Sequence, residues 1–354
     1  MERSSVTRRG FPLAQPPRFA VLRAFCVVSE GADVLIPVFP IPSAACAAAK
    51  CVAAVLGDAP RRVCVMGGRE GMPRSLGSIL GCLVARFVGG GNICRVAAEM
   101  PSVHALSNAI AVSRDGATLL VTDARGGSHG VHVFNLHTGA CVRIVGSQGT
   151  GPLQFTYPCQ VWVASDDFVF VADSDNDRIP ILTPCDFDFH GFVGEGQLCR
   201  PAGVCGDGNI IAVSEDAHRI SVFSSGDGAL LHRFGSYGSS DGQLNYPHGL
   251  CFMSENHHIA VADCVNDRVC VFSLDGEFIR HVGVGVLRCP TGVACSAFDE
   301  LVVADFRNSR VAVFSASGEF VRTMGDADFF GVAIHGGTVF AHTWNYNCKC
   351  AMFT

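Results

Sequence analysis

Along most of the chain, apolar residues alternate with polar ones in short runs, and the runs end at turn residues. Val131-His-Val-Phe134, Ile220-Ser-Val-Phe223, Val269-Cys-Val-Phe272 and Val311-Ala-Val-Phe314 are of one kind, each closing on an aromatic ring. A period of two is the signal of a strand with one face turned to a core. Ahead of these runs stands a recurring phrase, Val171-Ala-Asp-Ser-Asp-Asn-Asp-Arg-Ile179, repeated as Val261-Ala-Asp-Cys-Val-Asn-Asp-Arg-Val269 and Val303-Ala-Asp-Phe-Arg-Asn-Ser-Arg-Val311. A weaker copy starts at Ala212, a looped-out one at Val121, and a degenerate one at Phe340, where His342 is taken to replace the turn Asp. Before each copy comes a short start, as in Pro158-Cys-Gln-Val161, Pro201-Ala-Gly-Val204, Pro247-His-Gly-Leu250 and Pro290-Thr-Gly-Val293. After each comes a last strand ending in Gly146, Gly235, Gly283 or Gly325.

Each unit of roughly 41 to 50 residues therefore supplies four short strands, the signature of a radially repeated sheet. A single twisted four-stranded sheet leaves a face unburied, whereas sheets packed on their neighbours bury both. The pattern predicts an all-β chain, a six-bladed β-propeller. The repeats resemble NHL repeats, on the phrases P-x-G-[IV] and v-a-D-s-x-N-x-R-[IV]-x-v-F and on a glycine-rich connection that Gly235-Ser-Tyr-Gly-Ser-Ser-Asp-Gly-Gln243 reproduces. The resemblance covers residues 79–354 and implies the same propeller. The last unit, from about Phe330, has room for three strands only. The missing strand is expected from the N-terminal side, at Leu83-Val-Ala-Arg-Phe-Val-Gly89, closing the ring and removing an open sheet edge.

Residues 1–78 read differently. Arg3, Arg8, Arg9, Arg18 and Arg23 precede any acid but Glu2, a composition shared by basic tails and organelle transit peptides. A mostly disordered leader is expected, with one short helix at Ala44–Leu56. The charge-free stretch Val34–Ala49 is too short, and too interrupted by Pro37, Pro40 and Pro42, to cross a bilayer. Of the net charge of −6, residues 1–78 carry +5, which leaves −11 on the remainder. An acidic main domain is poorly suited to a phosphate backbone, so nucleic acid is an unfavoured partner. The 18 cysteines include no C-x-x-C pair, so RING and B-box zinc spacings are absent from this sequence. Cys205, Cys251 and Cys270 fall where strands want small apolar residues and read as reduced core residues. This favours a reducing, cytoplasmic setting, with organelle targeting by the leader as the alternative.

The repeated acidic and basic residues are Asp123, Asp173, Asp263 and Asp305, with Arg178, Arg219, Arg268 and Arg310. A residue needed in every blade performs the same structural task in every blade, so these are read as turn-holding groups. The x of each P-x-G start should sit at the mouth of the central channel: Asn108, Cys159, Ala202, His248, Thr291 and Phe330. The metal-dependent lyases and lactonases that resemble this fold need clusters of His or carboxylate, and this ring has one His and no carboxylate. No catalytic residue, metal site or cofactor is expected. The favoured reading is a monomeric platform for a protein partner, with Asn108, His248, Thr291, Phe330, Tyr237, Asp241, Trp344 and Tyr346 as contacts. The resemblance implies a possible recognition or adaptor role beside ubiquitin ligases. A metal-dependent enzyme and an RNA-binding propeller are the rivals.

Overall fold

The computed structural model describes residues 107–124, 128–253, 257–344 and 350–353, together with the backbone of four strands nearer the N-terminus. The chain divides into two compact units, Met1–Pro73 and Arg74–Thr354. In the first, Phe25–Ser29 pairs antiparallel with Ala32–Ile36 and with Cys64–Val65. Ser29 faces Ala32 in that pairing. The helix expected at Ala44–Leu56 lies outside the described residues.

The second unit holds six four-stranded antiparallel sheets. Their inner strands are Ser107–Val112, Pro158–Val163, Pro201–Gly206, Pro247–Met253, Pro290–Cys295 and Phe329–His335, here blades one to six. Blade six takes its outer strand from the N-terminal side, and that strand is Val96–Ala98, which pairs with Cys350–Phe353. Closure is of the expected kind but the strand is a later one; residues 83–89 lie outside the described residues. The reason is the length of the link into blade one. The other blades are joined by links of 4 to 12 residues, from 325–328 up to 146–157. Starting from Ala98 leaves 99–106, inside that range, whereas starting from Gly89 would leave a much longer loop.

The second strand of each blade is covered by its neighbours on both faces. Val169–Asp173 is buried throughout, and so is Leu301–Asp305, while the outer strands Cys141–Val145 and Phe320–Met324 are exposed but for their last residue. The aromatic ends of the third strands, Phe134, Phe223, Phe272 and Phe314, are fully buried between blades. Burial of one such ring contributes about 1.5–3 kcal/mol.

At the axis the inner strands approach so closely that a side chain has no room. A Cβ on Gly292 would lie 2.9 Å from both the Gly331 Cα and the Phe330 carbonyl oxygen of the next blade. Each P-x-G start also carries a bulge. Pro158 pairs with Asp173 and Val161 with Val171, so Cys159 and Gln160 together oppose one residue, and blade four repeats this between Pro247 and Leu250. The extra residue sharpens the twist and aims the x side chain at the mouth.

The repeated Asp and Arg bind each incoming link to its blade. Asp173 accepts the Thr156 N–H at 2.6 Å and the Asn176 amide at 2.8 Å, and pairs with Arg178 Nε at 3.0 Å. Arg178 spends its remaining donors on the Thr150, Gly151 and Gln154 carbonyls of the link, and stacks its guanidinium 4.3 Å from the Phe192 ring. Arg268 does the same with Asp263 and the Ser239, Ser240 and Gln243 carbonyls, and Arg310 with Asp305 and the Val286 carbonyl. In blade one, Asp123 is buried and accepts from the Ser128 hydroxyl. Blade three has a turn one residue shorter, and a longer acid makes up the difference. There Glu215 accepts the Cys199 N–H at 2.8 Å and pairs with Arg219 through two bonds of 3.0 Å. In blade six the repeat is read one residue too early in the sequence, because Phe329 pairs with Thr343 and Gly331 with His342. Thr343 therefore takes the place of the turn Asp, and the buried His342 ring packs against Gly331, 2.4 Å from where a Cβ would sit.

Arg268→Ala would leave Asp263 buried without its counter-charge, at an expected loss of about 3–5 kcal/mol. Gly292→Ala should cost about 1–3 kcal/mol through overpacking at the axis. Urea denaturation followed by tryptophan fluorescence measures both; an unchanged midpoint in either variant contradicts the role given to that residue.

Candidate binding face

Because strands alternate in direction, the hairpins between second and third strands share one end of the ring with the links between blades and with the inner-strand starts. The expected contact residues that are described belong to this end but at different distances from the axis. Asn108, His248, Thr291 and Phe330 are at the mouth, with Gly249, Gly292 and Val332 beneath them. Trp344 follows the second strand of blade six. Tyr237 and Asp241 lie further out, on the link into blade four; Tyr346 lies outside the described residues.

The mouth residues hold neighbouring blades together in one rotational sense. Asn108 Nδ2 donates to the Pro158 carbonyl at 3.2 Å, His248 Nδ1 to the Thr291 carbonyl at 3.2 Å, and Thr291 Oγ1 to the Phe330 carbonyl at 2.7 Å. From the second strands, Thr122 donates to the Cys159 carbonyl at 2.7 Å and Ser214 to the His248 carbonyl. Asn108 and Thr291 are accordingly buried, and their polar atoms face inward rather than out. Cys159 and Ala202 are buried as well, and desolvation pushes the Cys159 thiol up to about 12. His248 is pushed down to about 4 by burial, against which its bond to the Thr291 carbonyl acts only weakly, so it is a neutral Nδ1–H donor near pH 7.

Beneath the mouth, Gln160 reaches past blade three to blade four. Its Oε1 accepts the N–H groups of Leu250 at 3.1 Å and Val204 at 3.3 Å, and its Nε2 donates to the Leu250 carbonyl at 3.0 Å. One side chain of blade two thereby bonds to blades three and four. The repeated phrases of the sequence do not single out this residue. The signal was Pro158-Cys-Gln-Val161, where blades three, four, five and six have glycine at the third position of the phrase. The vacated space of those glycines is what admits the amide, since a Cβ on Gly203 would lie 2.7 Å from Gln160 Oε1.

Phe306 was also missed. It follows the turn Asp of blade five, at the place Trp344 holds in blade six. The rings of Phe306, Phe330 and Trp344 stand 5.5–5.6 Å apart, and His248 meets Phe330 edge-on at 5.1 Å. All four are partly exposed, so part of this cluster is open to solvent between mouth and rim over blades four to six. A second group lies between blades three and four, where the His218 ring contacts Tyr237 at 4.9 Å and Tyr246 at 5.0 Å. Tyr237 is 68% exposed. Asp241 is tied down by His281 Nε2 at 3.1 Å. Among the described residues no three His, Cys, Asp or Glu side chains converge in a way that could hold a metal ion. Among them, too, no helix is long and apolar enough to cross a membrane.

Residues 244–272 match the family model described as NHL repeat. Protein brain tumor of Drosophila melanogaster is 30% identical over 119 residues, which are 33% of this chain and 11% of that one. RING finger protein nhl-1 of Caenorhabditis elegans is 40% identical over 74 residues, 20% of this chain and 8% of that one. The matches thus span about a tenth of these curated relatives. Among solved structures, a streptogramin B lyase superposes with a TM-score of 0.53 at 11% identity, covering 73% of this chain and 97% of the lyase. A chain of a nidogen/laminin complex does so with 0.54 at 17% identity, covering 66% and 86%. At those identities the likeness is one of fold.

Because the folded value of His248 lies below its ordinary 6.5, the unfolded chain takes up this proton first. Stability from this residue is therefore present above about pH 6.5 and is lost as the pH falls toward about 4. His248→Gln should flatten that part of the profile of unfolding free energy against pH; parallel profiles for the two proteins would contradict the assignment.

Proposed function

We propose that this chain, which belongs to the NHL-repeat β-propellers, is a binding platform that holds a protein partner against the face carrying the channel mouth. The observation that carries this reading is the partly exposed cluster of Phe306, Phe330 and Trp344 beside His248. Aromatic side chains set in a rigid surface lose little conformational freedom on binding and are over-represented among residues that dominate interface energies. The polar groups around them are already used. Asn108, Thr291 and His248 bond to neighbouring carbonyls and Gln160 to the backbones of blades three and four, which leaves few groups free to engage a small polar substrate. The Tyr237–His218–Tyr246 group supplies a second aromatic contact nearer the rim.

The curated relatives carry the matching segment within much longer chains, which fits a recognition module serving other domains. One of them is named as a RING finger protein, which supports an adaptor role beside a ubiquitin ligase as the finer form of this proposal. The acidic balance of the propeller region disfavours nucleic acid as the partner.

Affinity purification on the immobilised full chain, with mass spectrometry, tests the reading. Phe330→Ala and Trp344→Ala should each weaken the captured protein by about 2 kcal/mol, some thirtyfold in Kd. Phe298→Ala, an exposed ring at a turn between first and second strands on the opposite end, should leave capture unchanged. Capture that survives both mouth substitutions, or that depends on Phe298, overturns the proposal. So does capture of RNA rather than protein.

A further inference from the structure

Outside the mouth, the seams between blades are closed by a contact that changes chemistry from blade to blade. The residue before each inner-strand proline meets the hairpin of the preceding blade there. Its backbone is held in the left-handed region, at φ 46–61 for Tyr157, Arg200, Tyr246 and Cys289, a cost that persists only because the surroundings enforce it. The enforcing bond is from its N–H to a hairpin side chain: Tyr157 to His129, Arg200 to Asp177, Tyr246 to His218 and Cys289 to Asp267. The side chains then make the seam contact. Between blades two and three it is an ion pair, Arg200 with Asp175 at 3.1 Å. Between blades three and four it is the Tyr246 and His218 rings. Between blades four and five it is two thiols, Cys264 and Cys289, with sulfurs 2.9 Å apart.

We propose that Cys264 and Cys289 are a redox-responsive pair that a peroxide converts to a reversible disulfide, locking blade four to blade five on the binding face. The separation of 2.9 Å is already close enough that bond formation needs only a small side-chain adjustment, since a disulfide measures about 2.0 Å. Both residues are partly exposed, so a small oxidant has access. The pair is also asymmetric. The Cys289 thiol is pushed down by the hydrogen bond from the Cys264 thiol, with the Arg307 guanidinium adding to the effect. That same bond and burial push Cys264 up. Cys289 is thus the attacking sulfur and Cys264 the resolving one.

In the first step the Cys289 thiolate attacks one peroxide oxygen and the O–O bond breaks. This leaves a sulfenic acid on Cys289 and, after protonation, one molecule of water. In the second the Cys264 sulfur attacks the sulfenic sulfur and displaces the hydroxyl group, which leaves as a second water with the Cys264 proton. Two thiols are oxidised by two electrons in total and one peroxide is reduced to two waters. A dithiol reductant reverses the linkage by thiol–disulfide exchange.

The test treats the native full chain with a few equivalents of hydrogen peroxide, blocks remaining thiols by alkylation and maps the peptides by mass spectrometry. The exposed thiols Cys141, Cys185 and Cys199 serve as internal references. A Cys264–Cys289 linked peptide should accumulate about tenfold faster than oxidation at any of the three, and should disappear on dithiothreitol treatment. In Cys264→Ser, Cys289 should persist as a sulfenic acid trapped by dimedone. In Cys289→Ser, oxidation of Cys264 should slow about tenfold. Thermal melts of the two variants confirm that each is folded, so that a missing linkage is read against an intact seam. Oxidation of the exposed cysteines ahead of this pair, linkage of either sulfur to a different cysteine, or equal reactivity of Cys264 with and without Cys289 would each overturn the proposal.

Discussion

Six inner strands meet around an axis, and over most of the circumference their backbones come within van der Waals distance of one another. At Gly292 and Gly249 the space where a Cβ would go is taken by the next blade's carbonyl oxygen. That close approach sets the diameter of the ring and so the angle at which each sheet leaves it. It also brings the first side chain of each start within hydrogen-bonding distance of the neighbouring carbonyl. The chain of bonds from Asn108, His248 and Thr291 to their neighbours exists because the strands are this near. The polar groups of the mouth are spent on holding it closed, and the mouth offers apolar rings to the outside.

Around this axis the blades solve one structural problem with different residues. A link must enter each blade beside its inner strand, and its carbonyls need donors. In blades two, four and five an Asp and an Arg five positions later supply them, with the Asp also taking a link N–H. Blade three has four positions instead of five and a Glu instead of an Asp, and the extra methylene restores the reach. The same holds at the seams, where the residue before the inner-strand proline makes an ion pair, a ring contact or a thiol contact with the preceding hairpin. Positions that vary in chemistry while the backbone stays the same are where a repeat protein can acquire individual properties, because they are relieved of specifying the fold. Phe306 and Trp344 occupy one such position, immediately after the turn acid or its Thr343 replacement, and Cys264 occupies the same position in blade four.

The amino-acid sequence by itself determined the blade count, the four strands of each blade and the manner of closure, because these follow from period-two alternation and from phrases repeated in register. It also determined the turn-holding partnership of Asp and Arg, since a pair present in most units must meet locally, five residues apart across one hairpin. Local sequence was a weaker guide where a unit departs from the repeat. Composition alone favours residues 83–89 for the closing strand, whereas the strand that closes the ring is Val96–Ala98, in keeping with the link lengths elsewhere in the chain. In the degenerate last unit the repeat phrase misplaces the turn position by one residue, and only the pairing of Phe329 with Thr343 locates it. Tertiary structure alone decided what lies together across blades. Gln160 reaches Leu250, 90 residues away, and Phe306 and Phe330 come from different blades, as do Cys264 and Cys289. No spacing in the sequence encodes these meetings, because they depend on how far each sheet is rotated about the axis, and that rotation is fixed by the packing of all six blades at once.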